Sequence, residues 1–258
     1  PTAGHADLMS LLECVDDSGV EVYSWGNNTY GQLGLGHSED THSPAYVPAL
    51  SKIRLQRVIC GGQHTIALTS DSVWSMGRND YGQLGLGTIS RLLDDVMPPS
   101  KIAFLSHATA PKTTAHVACG PQTSFFVLAN GELLGCGRND SGQLGLGSFD
   151  PHAVPSPCWI LTQQLLNGNR VISVSASDHT IISLSNGEVI GCGQNHNGQL
   201  GLGHTIMTAD LQTLPLDSQR ASIQVGAFHS FVMYGGPHPR RQRNSSAVAA
   251  GIASCTVS

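Results

Sequence analysis

Charge is scarce in this chain, and positive charge scarcer still. Lys, Arg, Asp and Glu make up 12% of its 258 residues, where about 25% is usual for a soluble domain. Acidic residues outnumber basic ones 18 to 13, and three of the basic ones, Arg240, Arg241 and Arg243, sit near the C-terminus. The body before them is therefore distinctly acidic and ill suited to neutralising phosphates, so direct nucleic-acid binding by that body is not expected. Long apolar runs are missing too: none approaches the roughly 18 residues of a membrane-spanning helix. The seven cysteines form no CxxC pair and are too sparse for a disulfide scaffold, which points to a reducing compartment, cytoplasmic or nuclear. No nucleophile stands with a base in a recognisable catalytic set, so an enzyme of the acid–base, nucleophilic or metal kind is not expected, and no cofactor or metal is implied. The chain opens at Pro1 rather than Met, and a native N-terminus further upstream is expected.

Glycine is what the chain has in quantity: 30 residues, with 13 prolines, the mark of many tight turns between short strands when no collagen period is present. The glycines are ordered. Gly-Gln-Leu-Gly-Leu-Gly occurs four times, at 31–36, 82–87, 142–147 and 198–203. Ahead of each copy stands a short apolar run ending in glycine (22–26, 73–77, 133–137 and 189–193), followed by a polar link such as Arg78-Asn79-Asp80 or Arg138-Asn139-Asp140. Further upstream come the apolar runs 66–69, 125–128 and 181–184, introduced by Gln63-His64-Thr65, Gln122-Thr123-Ser124 and Asp178-His179-Thr180. Apolar stretches this short, bounded by Gly, Asn or Asp, are strands rather than helices. Short antiparallel strands in units of about 50 residues describe propeller blades, because one blade cannot bury both of its faces alone. The fold class is all-β.

The hexapeptide runs G-x-x-G-x-G, the reverse of a dinucleotide fingerprint, with neither a following Lys-Ser/Thr nor a helical period, so it is structural. Gly31, Gly82, Gly142 and Gly198 permit tight turns, and Gln32, Gln83, Gln143 and Gln199 can satisfy loop amides that lack a ladder partner. Leu33, Leu84, Leu144 and Leu200 are expected between blades. Trp25, Met76, Cys136 and Cys192 share one slot before the strand-ending glycine; a slot that accepts Trp, Met and Cys is a packing position, not a metal ligand.

G-x-x-His-Thr, a short strand, V-x-x-x-G, a polar link and G-Q-L-G-L-G in that order resemble the regulator-of-chromosome-condensation repeat, over about Leu8 to Tyr234. The resemblance implies a seven-bladed propeller. It also implies a choice of unrelated roles: an exchange factor for the GTPase Ran, a secretion-regulating exchange factor, blades within ubiquitin ligases, and an ultraviolet-B photoreceptor. This sequence holds four units, plus one strand at 229–234, making an incomplete ring over 1–236, with 237–258 a disordered or non-homologous tail. The missing blades, or another copy, are expected to be needed for closure. In the first unit Gly4-His5 stands in for the G-x-x-His-Thr element, and an insertion through Cys14–Ser18 follows it.

In the Ran exchange factor the G-x-x-His-Thr turns lie on the GTPase-facing side. The matching positions here are Gln63 and His64, Gln122 and Thr123, Asp178 and His179, and Phe228 and His229. The resemblance thus implies a small-GTPase or other protein partner; a non-catalytic scaffold, once part of a larger ubiquitin ligase or trafficking protein, is the alternative. Asp178 is the distinctive residue, since its equivalents are uncharged. A repeated His-Thr also has a purely structural reading, bonding neighbouring loop backbone. Photoreception calls for clustered tryptophans, whereas Trp25, Trp74 and Trp159 lie in different repeats.

Overall fold

A computed structural model describes residues 21–51, 53–90, 98–103, 114–216 and 221–234. The Gly4-His5 element, the Cys14–Ser18 insertion and the 237–258 tail lie outside the described residues. Among those residues, no helix is long and apolar enough to cross a membrane.

The strands form five antiparallel sheets. The first pairs β1 (Tyr23–Gly26) with β2 (Thr41–Tyr46). Three four-stranded sheets follow. One is β3 (Leu55–Cys60), β4 (His64–Thr69), β5 (Val73–Gly77) and β6 (Ser100–Lys101). The next is β7 (Thr114–Cys119), β8 (Thr123–Leu128), β9 (Leu133–Arg138) and β10 (Ala153–Leu161). The last is β11 (Val171–Ala176), β12 (His179–Leu184), β13 (Val189–Gly193) and β14 (Thr208–Thr213). A closing pair joins β15 (Ala221–Val225) to β16 (Ser230–Tyr234). Each four-stranded sheet is a meander in chain order, a propeller blade.

The sheets run out of phase with the sequence unit, because the strand that ends one unit opens the next blade. The four units therefore give three complete blades among the described residues. The first unit contributes the outer pair β1–β2, and the expected lone strand at 229–234 is one of a pair. Its mate β15 was not evident as an apolar run, since exposed Ser222 and Gln224 interrupt it.

Every residue of β4, β8 and β12 is buried. Alternate side chains of a strand point to opposite faces, and here both faces are buried. Phe126 and Leu128 pack with Ile66, Leu68 and Val73 of the preceding blade. Phe125 and Val127 pack with Val171, Val174 and Ile182 of the following one. The core is thus a series of layers between blades. Outermost strands carry the prolines, Pro44 in β2 and Pro155 and Pro157 in β10, where a missing N–H disrupts no central ladder.

The hexapeptide loops are locked by one residue type. Asn28, Asn79, Asn139 and Asn195 are all buried. Their Oδ1 atoms accept the N–H of Leu33, Leu84, Leu144 and Leu200 at 3.0–3.2 Å. Their Nδ2 atoms donate to the carbonyls of His37, Thr88, Ser148 and His204 at 2.7–2.9 Å. Each Gln Oε1 accepts the N–H two residues before it, at 2.9 Å in all four copies. Leu84, Leu144 and Leu200 are fully buried, and Leu144 and Leu200 join the layers between blades.

Replacing Asn139 by Ala strands one buried N–H and one carbonyl, at about 1–3 kcal/mol each when unsatisfied. Chemical denaturation of Asn139→Ala is expected to show a loss of about 2–4 kcal/mol, and the exposed Asn197→Ala a loss below about 0.5 kcal/mol.

Candidate functional site: the turns between first and second strands

The turns that join the first and second strands of successive blades touch one another. A Cβ built on Gly61 lies 2.9 Å from the Gly120 carbonyl oxygen, one on Gly62 lies 2.8 Å from that of Pro121, and one on Gly120 lies 3.1 Å from that of Ser177. Glycine is required at Gly61 because the same Cβ falls 2.2 Å from the His64 ring. Three turns close with the same backbone bond: Gly61 N–H to the His64 carbonyl, Gly120 to Thr123, and Gly226 to His229. The fourth, expected as the equivalent element Ala176–His179, is one residue shorter. Ser177 N–H bonds the His179 carbonyl, and Ala176 is already paired in the strand, opposite Thr180.

The residue after the histidine position carries a hydroxyl in every blade, and that hydroxyl reaches back to the preceding hexapeptide. Thr65, Ser124, Thr180 and Ser230 donate to the main-chain carbonyls of Gln32, Gln83, Gln143 and Gln199 at 2.7–2.8 Å. Two histidines extend the chain forward. His64 Nε2 lies 2.9 Å from Ser124 Oγ, and His179 Nε2 lies 2.7 Å from Ser230 Oγ. Each serine proton is committed to a Gln carbonyl, so Nε2 carries the imidazole proton and donates it. Both rings are buried, and burial lowers each pKa to about 4.

This geometry corrects two candidates. His64 and His179 do not face a partner; they join blades, because the following blade covers them. Thr123 occupies the same slot but is buried, and its Oγ1 has no bond among the described residues. His229 is exposed, edge-on to Phe231 at 5.6 Å.

What does face outward is a polar belt. The main-chain carbonyls of Gln63, Gln122 and Asp178 accept the N–H of Arg78, Arg138 and Gln194, which places the three side chains equivalently. Arg78 bonds Gln63 Oε1 and Asp80 and stacks on Tyr30 at 4.9 Å. Arg138 bonds Gln122 Oε1 at 3.1 Å and Asp140 at 2.7 Å, and stacks on Tyr81 at 5.5 Å. Arg138 also lies 3.7 Å from Asp178, whose side chain is 37% exposed. In the sequence both arginines read only as parts of polar links; the repeated Arg-Asn-Asp is the signal for them. Trp25, Trp74 and Trp159 stand in three different sheets, Trp74 under Lys101 Nζ at 5.7 Å. Cys60 and Cys119 are both free.

The buried imidazoles set a pH response. Below pH 6.5 an unfolded histidine takes up a proton that the folded one refuses until about pH 4. Stability therefore falls with pH through that window, by up to about 3 kcal/mol per histidine. Urea titrations between pH 6.5 and 5, where most carboxylates stay ionised, are expected to show the first part of this loss, about 1.5 kcal/mol per histidine. The slope is expected to be largely gone in the His64→Gln/His179→Gln double variant.

Comparison with known proteins agrees with this architecture. The chain is 36% identical over 205 residues to the ultraviolet-B receptor UVR8 of Arabidopsis thaliana, covering 78% of this chain and 42% of the receptor. It is 36% identical over 196 residues to the human E3 ubiquitin-protein ligase HERC2, covering 74% of this chain and 4% of the ligase. It thus spans less than half the length of these relatives. Yeast RCC1 (Prp20), solved bound to Kap60, superposes with a TM-score of 0.65 at 25% identity over 83% of this chain and 49% of that one. A second structure, of Prp20p from Saccharomyces cerevisiae, described with its binding to Gsp1p and histones, gives 0.66 at 24% identity, covering 82% and 50%. The family described as the Regulator of chromosome condensation (RCC1) repeat matches residues 21–68, 70–127 and 130–184, and the chain belongs to that family.

Proposed function

We propose that this arc of blades is a protein-binding surface whose partner is a small GTPase, engaged in the manner of an exchange factor through the turns that carry Asp178, Gln63 and Gln122. The carrying observation is the turn at 177–179. It is one residue shorter than its neighbours, and it sets the only acidic side chain of its register among the described residues, partly exposed, beside Arg138. Exchange asks for no covalent chemistry. A factor that binds the nucleotide-free GTPase more tightly than the loaded one drives nucleotide release by that difference. A carboxylate held only at 3.7 Å by its arginine is free to compete for a phosphate-binding lysine on the GTPase. The likeness to yeast RCC1 supports this reading, and a cytoplasmic or nuclear location is proposed with it.

The second reading, a scaffold without exchange activity, is favoured by the same arginines. Arg78 and Arg138 are each neutralised by an aspartate of their own blade and stacked on a tyrosine of the preceding one. A belt so satisfied within the protein has the character of blade-to-blade glue. The likeness to a ubiquitin ligase agrees with it.

Titration against a panel of small GTPases, each GDP-loaded and nucleotide-free, separates the two. The exchange reading expects one GTPase to bind its nucleotide-free form more tightly and to release fluorescent GDP faster in the presence of the chain. Asp178→Lys is expected to weaken that complex at least about tenfold, or about 1.4 kcal/mol, with the melting temperature unchanged. Absence of binding across the panel, or affinity indifferent to Asp178→Lys, leaves the scaffold reading in place.

A further inference from the structure

Three junctions between neighbouring sheets are built on one plan, and the third lacks the cation that the first two contain. In each complete blade, the residue after the glycine near the end of the third strand donates its N–H to the carbonyl just before the second strand. Arg78 bonds Gln63 in this way, Arg138 bonds Gln122 and Gln194 bonds Asp178, all at 2.9 Å. The glycine itself abuts the preceding hexapeptide. A Cβ on Gly77 falls 3.1 Å from Gln32 Cβ, and one on Gly193 falls 3.2 Å from Gln143 Cα. Positions 78, 138 and 194 therefore share one setting, each beside the turn that opens the hexapeptide of the sheet before.

At the first two junctions an arginine and a tyrosine occupy that setting. Arg78 bonds Gln63 Oε1 and Asp80 and lies over the Tyr30 ring. Arg138 does the same with Gln122, Asp140 and Tyr81. At the third junction Ser141 stands in place of the tyrosine, Gln194 in place of the arginine, and Asp178 in place of the glutamine.

These replacements do not satisfy one another. Gln194 Oε1 accepts from Gln199 Nε2 of its own hexapeptide at 3.5 Å, and Ser141 donates to Asp140 at 3.4 Å. Asp178 is left with Arg138 at 3.7 Å, too far for a hydrogen bond, and Arg138 is already committed to Asp140 at 2.7 Å. One cation thus serves two carboxylates. Residues 141, 178 and 194 are all partly exposed. A carboxylate has replaced a neutral amide at the place where the repeat seats a guanidinium, and the guanidinium and ring have given way to smaller side chains.

We propose that the third junction takes a cationic side chain of the partner, seated against Asp178 beside Ser141 and Gln194, where the earlier junctions hold Arg78 and Arg138. The proposal rests on the reading of Asp178 as partner-facing and adds the chemistry that meets it. Earlier blades supply the cation of the belt themselves; here the partner supplies it. Because the place is a guanidinium's at the other junctions, arginine is expected to bind more tightly than lysine.

Nα-acetyl-arginine amide, a single cation on a neutral backbone, probes the site in the full chain through amide chemical shifts, with the lysine and glutamine analogues beside it. Saturable shifts are expected at 141, 178 and 194 with arginine, weaker binding with lysine, and none with glutamine. Asp178→Asn is expected to weaken arginine binding about fivefold, the upper end for an exposed ion pair. Gln194→Arg supplies the cation from within. It is expected to abolish probe binding and to raise the melting temperature by about 1–3 °C, a gain absent when Asp178→Asn is added. Shifts no larger at the third junction than at the first two overturn the proposal. So does arginine binding that survives Gln194→Arg, or a stability gain that persists with Asp178→Asn. None of these readouts involves a GTPase. Probe binding with no GTPase bound across the panel overturns only the exchange reading, and a GTPase complex with a silent third junction overturns only this one.

Discussion

The hydrogen bond from a second-strand hydroxyl to the main-chain carbonyl of a hexapeptide glutamine holds the arc together. It is made four times, by Thr65, Ser124, Thr180 and Ser230, and each time it crosses from one blade to the one before. For the carbonyl to face the next blade, the hexapeptide must keep its shape. Its three glycines all adopt positive φ, 80°, 68° and 81° in the second copy, where a side chain is strained. The buried asparagine and the glutamine side chain then satisfy the loop amides that this path removes from the ladder. For the hydroxyl to reach back, the turn before it must be tight, hence Gly61 under the His64 ring. Two motifs far apart in sequence are the donor and acceptor ends of one contact.

That contact explains why the fold was legible and where legibility stopped. The apolar runs within β4, β8 and β12 stand out because each strand is sandwiched between two neighbours, so no exposed face interrupts them. Strand β15 did not stand out, since its exposed Ser222 and Gln224 break the run, and β6 spans only two residues. The asparagines could have been found: Asn28, Asn79, Asn139 and Asn195 each stand three residues before a hexapeptide glycine. They pass for an ordinary polar link unless one asks where the amides of a loop without a ladder find partners.

Residues of the candidate site were legible by register but not by role. His64, His179 and His229 share one position, yet two are buried and one is exposed. The difference lies in whether a following blade covers the ring, which no local pattern records. Likewise Arg78 and Arg138 take their orientation from Tyr30 and Tyr81 of the preceding blade. Asp178 carries both kinds of information. Its type is visible in sequence; its setting follows from a turn one residue short and an arginine from the blade before.

A blade in this arrangement has no core of its own. Its hydrophobic layers are shared, its loop carbonyls are satisfied by the next blade, and its buried histidine is neutral because the next blade excludes water. Stability of this kind sums over junctions rather than over blades, so an internal junction strengthens both blades it joins while an end leaves one face unrewarded. The same logic makes a turn between first and second strands best fixed where its neighbours abut it on both sides, as at 120–123, which meets Gly61 and Gly62 on one side and Ser177 on the other. A recognition surface built from turns is therefore only as well defined as the junctions beneath it, and Asp178, at the last junction between complete blades, is held by the hydroxyl bond of the very next residue but one, Thr180.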